Sequence, residues 1–167
     1  SDLAKEDNPN LDIHNIYEFM THILERVDLT RDLHFHTKTT IDTLDYSGSD
    51  LNSGSKLAVT VAGDVVRTLW KELPAFFSLP QSFKNHKMVM PGTLAITGNK
   101  FVDEAHTFNE IEELNNHLKA ENIEGLPLII LCDDAEFTAE NMNNFVWVTF
   151  TRSNPSHDIY GINSFTE

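Results

Sequence analysis

The chain has 167 residues, 40% of them hydrophobic and 10% aromatic, enough for one globular domain with a real core, or one domain plus a small appendage. Its 12 basic and 26 acidic residues give a net charge of −14, which argues against nucleic acid or an anionic membrane surface as partner, since both require clustered Lys and Arg. No apolar run approaches the ~18 residues of a membrane span, and the single cysteine, Cys132, rules out an intrachain disulfide and fits a reducing cytoplasm.

Ser1 is followed by no signal-peptide pattern, and the chain runs to Glu167 without an evident stop, so the sequence reads as a piece of a longer protein. Asp12 is the expected N-cap of a first helix. Ile13, Ile16, Tyr17, Met20, Ile23, Leu24 and Val27 recur at three- and four-residue spacing on one face. Leu33 to Thr40 alternates as a short strand, with Leu33 and Phe35 inward. Residues 46–55, YSGSDLNSGS, read as a loop or linker. They separate an N-terminal helix-strand arm (1–50) from a main α/β domain (51–167).

Within that domain Lys56 to Ala62 reads as a strand. Gly63 and Asp64 then turn it into a helix with Val65, Val66, Leu69, Trp70 and Leu73 inward, stopped by Pro74. Met88 to Gly98 is a bent strand or two short ones, broken at Pro91-Gly92. Thr107 and Glu110 form a capping box for a helix carrying Ile111, Leu114 and Leu118. Leu128 to Cys132, apolar throughout, reads as a buried central strand. Thr138 is the expected cap of the next helix, with Phe137 stapled onto Met142, and Phe145 to Phe150 is assigned to helix. Strand and helix in alternation predict an α/β fold with a mostly parallel sheet flanked by helices.

The chemistry-bearing candidates are few. The Val61-Ala62-Gly63-Asp64 corner has one glycine followed by an acid, too little for a phosphate loop. His34 and His36 share a strand face and, with Asp42, suggest at most a metal-dependent hydrolase site; an exposed strand face is the simpler reading. Ser156, His157 and Asp158 are consecutive, and neighbours in sequence do not converge as a catalytic triad does. Asp133 and Asp134 leave a strand end where ligand crevices form, so a free-standing module binding a small polar ligand or cation there is the alternative function; a solvated turn at a helix start is the plainer reading. Arg152 and Asp158 flank Asn154-Pro155 and can clasp that turn. Cys132, inside an apolar run, reads as an inert thiol.

Taken in order, Leu128 to Cys132, Asp133-Asp134, Trp147, and Thr151, Arg152, Pro155, Asp158 and Ile159 resemble the C-terminal region of the UbiD family, the prenylated-flavin-dependent decarboxylases. Asp42-Thr43-Leu44-Asp45-Tyr46 with Gly54-Ser55-Lys56, and Leu79-Pro80 through Pro91-Gly92, are similar to the longer menaquinone-type and phenylphosphate-type members. The resemblance implies non-oxidative decarboxylation of aromatic or α,β-unsaturated acids with prenylated FMN, Mn²⁺ and K⁺, all bound by a preceding domain. It implies that the C-terminal domain is α/β, packs over the active-site cleft as a hinged lid, and builds a homo-oligomer interface. The family's Glu-x-x-Arg-x-x-x-Glu pattern and flavin-binding region have no counterpart in this sequence. The resemblance therefore assigns this chain no catalytic, cofactor or metal residue, and it leaves Arg152, Pro155, Asp158, Asp133, Asp134 and Trp147 as structural or interface candidates.

Overall fold

A computed structural model describes residues 2–40, 53–119 and 121–164. In chain order the elements are α1 (Asp2–Asp7), α2 (Ile16–Arg26), β1 (Leu33–Thr39), β2 (Gly54–Val59), β3 (His86–Met90), β4 (Thr93–Thr97), α3 (Glu104–Leu118), β5 (Leu128–Cys132), α4 (Ala135–Glu140), α5 (Met142–Phe150) and α6 (Pro155–Asp158). The chain divides into two compact units. One comprises Ser1–Thr68 with Phe145–Ile159, the other Leu69–Asn144 with Tyr160–Glu167. The loop expected at 46–55 lies mostly outside the described residues, as do Asp42 and the rest of Asp42 to Tyr46; Gly54 and Ser55 already belong to β2.

In the first unit, Asn15 rather than Asp12 caps α2. The Asn15 side chain accepts from the Glu18 amide (3.4 Å) and donates to the Glu18 carboxylate (2.7 Å). Asp12 instead accepts from the His14 amide in a preceding turn. Leu24 and Val27 are buried, whereas Ile16 and Tyr17 on the same predicted stripe are exposed. Asp32 closes the turn into β1. Its carboxylate accepts from Arg31 Nε (2.7 Å) and the Asp28 amide (2.9 Å), and these bonds, the Arg31 one foremost, hold its carboxyl below the usual range. Strands β1 and β2 form an antiparallel ribbon from Leu33↔Val59 to His36↔Lys56, after which the register skips to Thr39↔Gly54. The skip is a bulge at Thr37 and Lys38, with Lys38 in the left-handed region at φ 55°.

The helix expected after Gly63 does not form. Val66 and Arg67 amides donate to Glu25 O in the first unit, and the Trp70 amide donates to Gly125 O in the second, so these groups find long-range acceptors instead of carbonyls four residues back. Val65 and Val66 are exposed, and the helical spacing of apolar residues there marks no buried face.

The second unit holds a three-stranded sheet of order β3-β4-β5. It departs from the sequence expectation in two ways. The described sheets are largely antiparallel, not mostly parallel: β1-β2 and β3-β4 are antiparallel pairs, and β4-β5 alone is parallel. The physical cause is the missing helix after Gly63, which would have carried a parallel crossover, together with Pro91-Gly92, which reverses the chain tightly between β3 and β4. Pro91 presets φ at the first turn position, and Gly92 takes φ +74° at the second. The second correction concerns the central strand, which is β4 and not Leu128–Cys132: Leu94, Ala95 and Ile96 are fully buried, while β5 lies at the sheet's edge.

Helix α3 joins β4 to β5 and lays Leu114 and Leu118 on Leu94, Ile96, Phe83 and Leu126. Its cap is Asp103, which accepts from the His106 amide (2.9 Å); Thr107 lies inside the helix. Glu110 receives the Asn99 amide and side chain at 2.7 and 2.9 Å, so it makes no capping box with Thr107. Among the described residues no helix is long and apolar enough to cross a membrane.

Candidate functional site

Two motifs far apart in sequence meet in the first unit. The ribbon's Gly54-Ser55 abuts the Asn154-Pro155 turn that opens α6. Ser55 is buried, and its hydroxyl donates to Asn154 Oδ1 in a short hydrogen bond while accepting from the Ser156 amide at 2.8 Å. Ser156 Oγ adds a second, longer bond to Asn154 Oδ1 (3.3 Å). Pro155 occupies the first position of α6, where its missing N–H costs nothing and its fixed φ suits the helix. Asp158 reaches back to accept from the Asn154 amide. This carboxylate-to-amide bond ties the proline turn, and Arg152 is exposed just upstream.

Beside this junction lies an open cleft of about 470 Å³, lined by Thr37, Lys38, Ser53, Gly54, Asn154, Ser156 and His157. The bulge brings Thr37 and Lys38 to its rim, and β2 and α6 supply the rest. His157 Nδ1 lies 2.8 Å from Ser156 Oγ. A Ser-His contact therefore exists, while the Asp158 carboxylate is directed to Asn154. The lining is hydroxyl, amide, imidazole and ammonium, a set suited to binding polar or anionic groups. The sequence names Gly54-Ser55-Lys56 as a motif and Asn154-Pro155 as a turn, but neither their meeting nor the bulge is visible in it. The only available signals were an Asn directly before a helix-opening proline and a small polar residue between Gly54 and Lys56.

The remaining candidates are not among the residues that line this cleft. Asp134 is the N-cap of α4, accepting from the Phe137 amide at 3.0 Å, and Asp133 is exposed beside it. This displaces Thr138 as the cap; Thr138 is buried inside α4, bonded to Asp134 O at 2.8 Å. Helix α5 forms as expected and starts on its own cap, Asn141, whose side chain accepts from the Asn144 amide. Phe145 is buried and meets Phe150 edge-on at 5.9 Å, whereas Trp147 is 55% exposed. Burial pushes the Cys132 thiol up from its ordinary pKa, against a smaller opposing effect of the Thr138 hydroxyl, 3.4 Å away. His34 and His36 are both exposed on β1. The Gly63 amide is taken by the Asp7 carboxylate at 2.9 Å. Among the described residues no three His, Cys, Asp or Glu side chains gather as a metal site would need.

Residues 5–61 match the 3-octaprenyl-4-hydroxybenzoate carboxy-lyase C-terminal domain, UbiD_C. An uncharacterized protein of Chlamydia trachomatis is 30% identical over 155 residues, covering 90% of this chain and 24% of that protein. A protein of Chlamydia pneumoniae, named as a 4-hydroxybenzoate decarboxylase subunit, is 31% identical over 144 residues, 85% of this chain and 22% of that one. A protein of Chlamydia caviae is 30% identical over 154 residues, again 24% of its length. The chain thus spans about a quarter of the curated relatives it matches. No solved structure matches it. The matched domain and the named decarboxylase relative support reading this chain as sequence from the C-terminal region of the UbiD family.

Proposed function

We propose that the chain acts as the C-terminal domain of a UbiD-like non-oxidative decarboxylase of aromatic or α,β-unsaturated carboxylic acids, with a 4-hydroxybenzoate-type acid as first candidate. Its work is packing on a flavin-binding domain, closing over that domain's cleft and building a homo-oligomer interface. Prenylated FMN, Mn²⁺ and K⁺ would be held by the flavin domain, where the cofactor supplies the electron sink for loss of CO₂. This chain contributes no catalytic group of its own.

The observation that carries this reading is exposed aromatic side chains. Trp147 and Phe150 on α5 are 55% and 56% exposed, and Phe101 near α3 is 70% exposed. Large exposed aromatics are what a domain presents to a partner that covers them.

The test is a pair of reactions. The chain alone, incubated with reconstituted cofactor and 4-hydroxybenzoate, is expected to release no CO₂. The long polypeptide carrying it is expected to do so, and Trp147→Ser in that polypeptide is expected to lower turnover or shift its oligomer on sizing. Turnover by the chain alone, or no turnover by the long form with any aromatic or unsaturated acid, overturns the proposal.

A further inference from the structure

We infer that the cleft between the β1-β2 ribbon and α6 is an oxyanion-binding site, one that takes the carboxylate or phosphate of a small ligand. The first argument is charge. The chain carries 26 acidic against 12 basic residues, yet among the described residues the lining of this cleft includes Lys38 and His157 and no carboxylate. The Lys38 ammonium puts a positive charge at this rim. It favours anions over cations.

The second argument is construction. Lys38 reaches the rim through a bulge, at φ 55°. A non-glycine residue in that region is uncommon, and strand bulges characteristically re-aim a side chain. The Lys38 ammonium has no acidic partner among the described residues. The floor is rigid, because buried Asn154 is fixed by Ser55 and by its own amide's bond to Asp158. Thr37, Ser53 and Ser156 bring hydroxyl groups to the same lining. A fixed floor, rotatable hydroxyls and one uncommitted ammonium form a set that matches an oxyanion's several lone pairs. At about 470 Å³ the cleft has room for the body of a small organic acid as well as its charged end.

The proposal is independent of decarboxylation and is tested by binding. Amide chemical shifts of the full chain are followed during titration with benzoate, with inorganic phosphate and with chloride at constant ionic strength. Saturable shifts at Thr37, Lys38, Gly54 and Ser156 with benzoate or phosphate, and none with chloride, are expected. Response to benzoate alone assigns a carboxylic acid; response to phosphate alone assigns a phosphate ester. Lys38→Gln should weaken the responding ligand about tenfold, the value of one charge-assisted hydrogen bond. Lys38→Arg should keep most of the affinity, and the spectra themselves report that each variant is folded. No saturable shift with either oxyanion overturns the inference, and so do shifts elsewhere on the surface that are unchanged by Lys38→Gln.

Discussion

Ser55→Ala tests the junction on which the candidate site is built. Removing the hydroxyl leaves the Ser156 amide without its 2.8 Å acceptor and leaves Asn154 Oδ1 with only the 3.3 Å bond from Ser156 Oγ. Ser55 and Asn154 are both buried, so water does not simply replace what is lost. A buried group stripped of its partner costs about 1–3 kcal/mol. For a chain of this size that is a fall in melting temperature of about 2–4 °C for each kcal/mol. Thr37→Ala, on the exposed rim, should stay within about 0.5 kcal/mol and serves as control. The assay is thermal melting of both variants, with hydrogen exchange at the Ser156 amide as the local readout. A Ser55→Ala variant that melts with the control and keeps the Ser156 amide protected would refute the junction as described.

Two further outcomes are expected. Gly125 has no room for a methyl group: a Cβ there would lie 2.2–2.8 Å from three ring atoms of Trp70, whose indole meets Phe76 and Phe77 edge-on. Gly125→Ala should therefore cost about 1–3 kcal/mol, read by urea unfolding, and Trp70→Leu in the same chain should relieve most of the added cost. His22 is buried; burial foremost, then Arg26, lowers its pKa below 6.5 despite the Asp7 carboxylate 3.6 Å away. The unfolded chain takes up this proton near 6.5 and the folded chain only at lower pH. Stability should accordingly be full above that value, fall as pH drops below it, and level off under the folded pKa. Urea midpoints across this range measure the slope, which His22→Gln should flatten; a slope unchanged by that substitution contradicts the assignment.

The elements most legible in the sequence were those whose signal is local and whose partner is near. Leu114 and Leu118 marked the buried face of α3 because helical period and burial agree there. The strands at Leu33–Thr39 and Leu128–Cys132 were visible as alternating or continuous apolar runs. Caps were read near their true places but displaced: Asp12 for Asn15, Thr107 for Asp103, Thr138 for Asp134. In each case a second Asx, Ser or Thr within a few residues offered a competing oxygen, and only the three-dimensional partner decides between them. The segment after Gly63 failed for a different reason. Its apolar spacing fits a helix, but its amides are claimed by Glu25 and Gly125, which no local pattern announces. The cleft was illegible for the same reason, since Ser55 and Asn154 are 99 positions apart.

That separation governs the order in which the molecule can be made. A two-stranded ribbon holds poorly by itself in water, and this one exposes Phe35 and Val59. During synthesis β2 emerges long before Asn154, so Ser55 waits, unanchored, while the intervening unit is built. The ribbon gains its tether only when residues 154–156 leave the ribosome. A polypeptide halted before that point keeps its adhesive strands without their fastening, and is the form most exposed to aggregation and proteolysis.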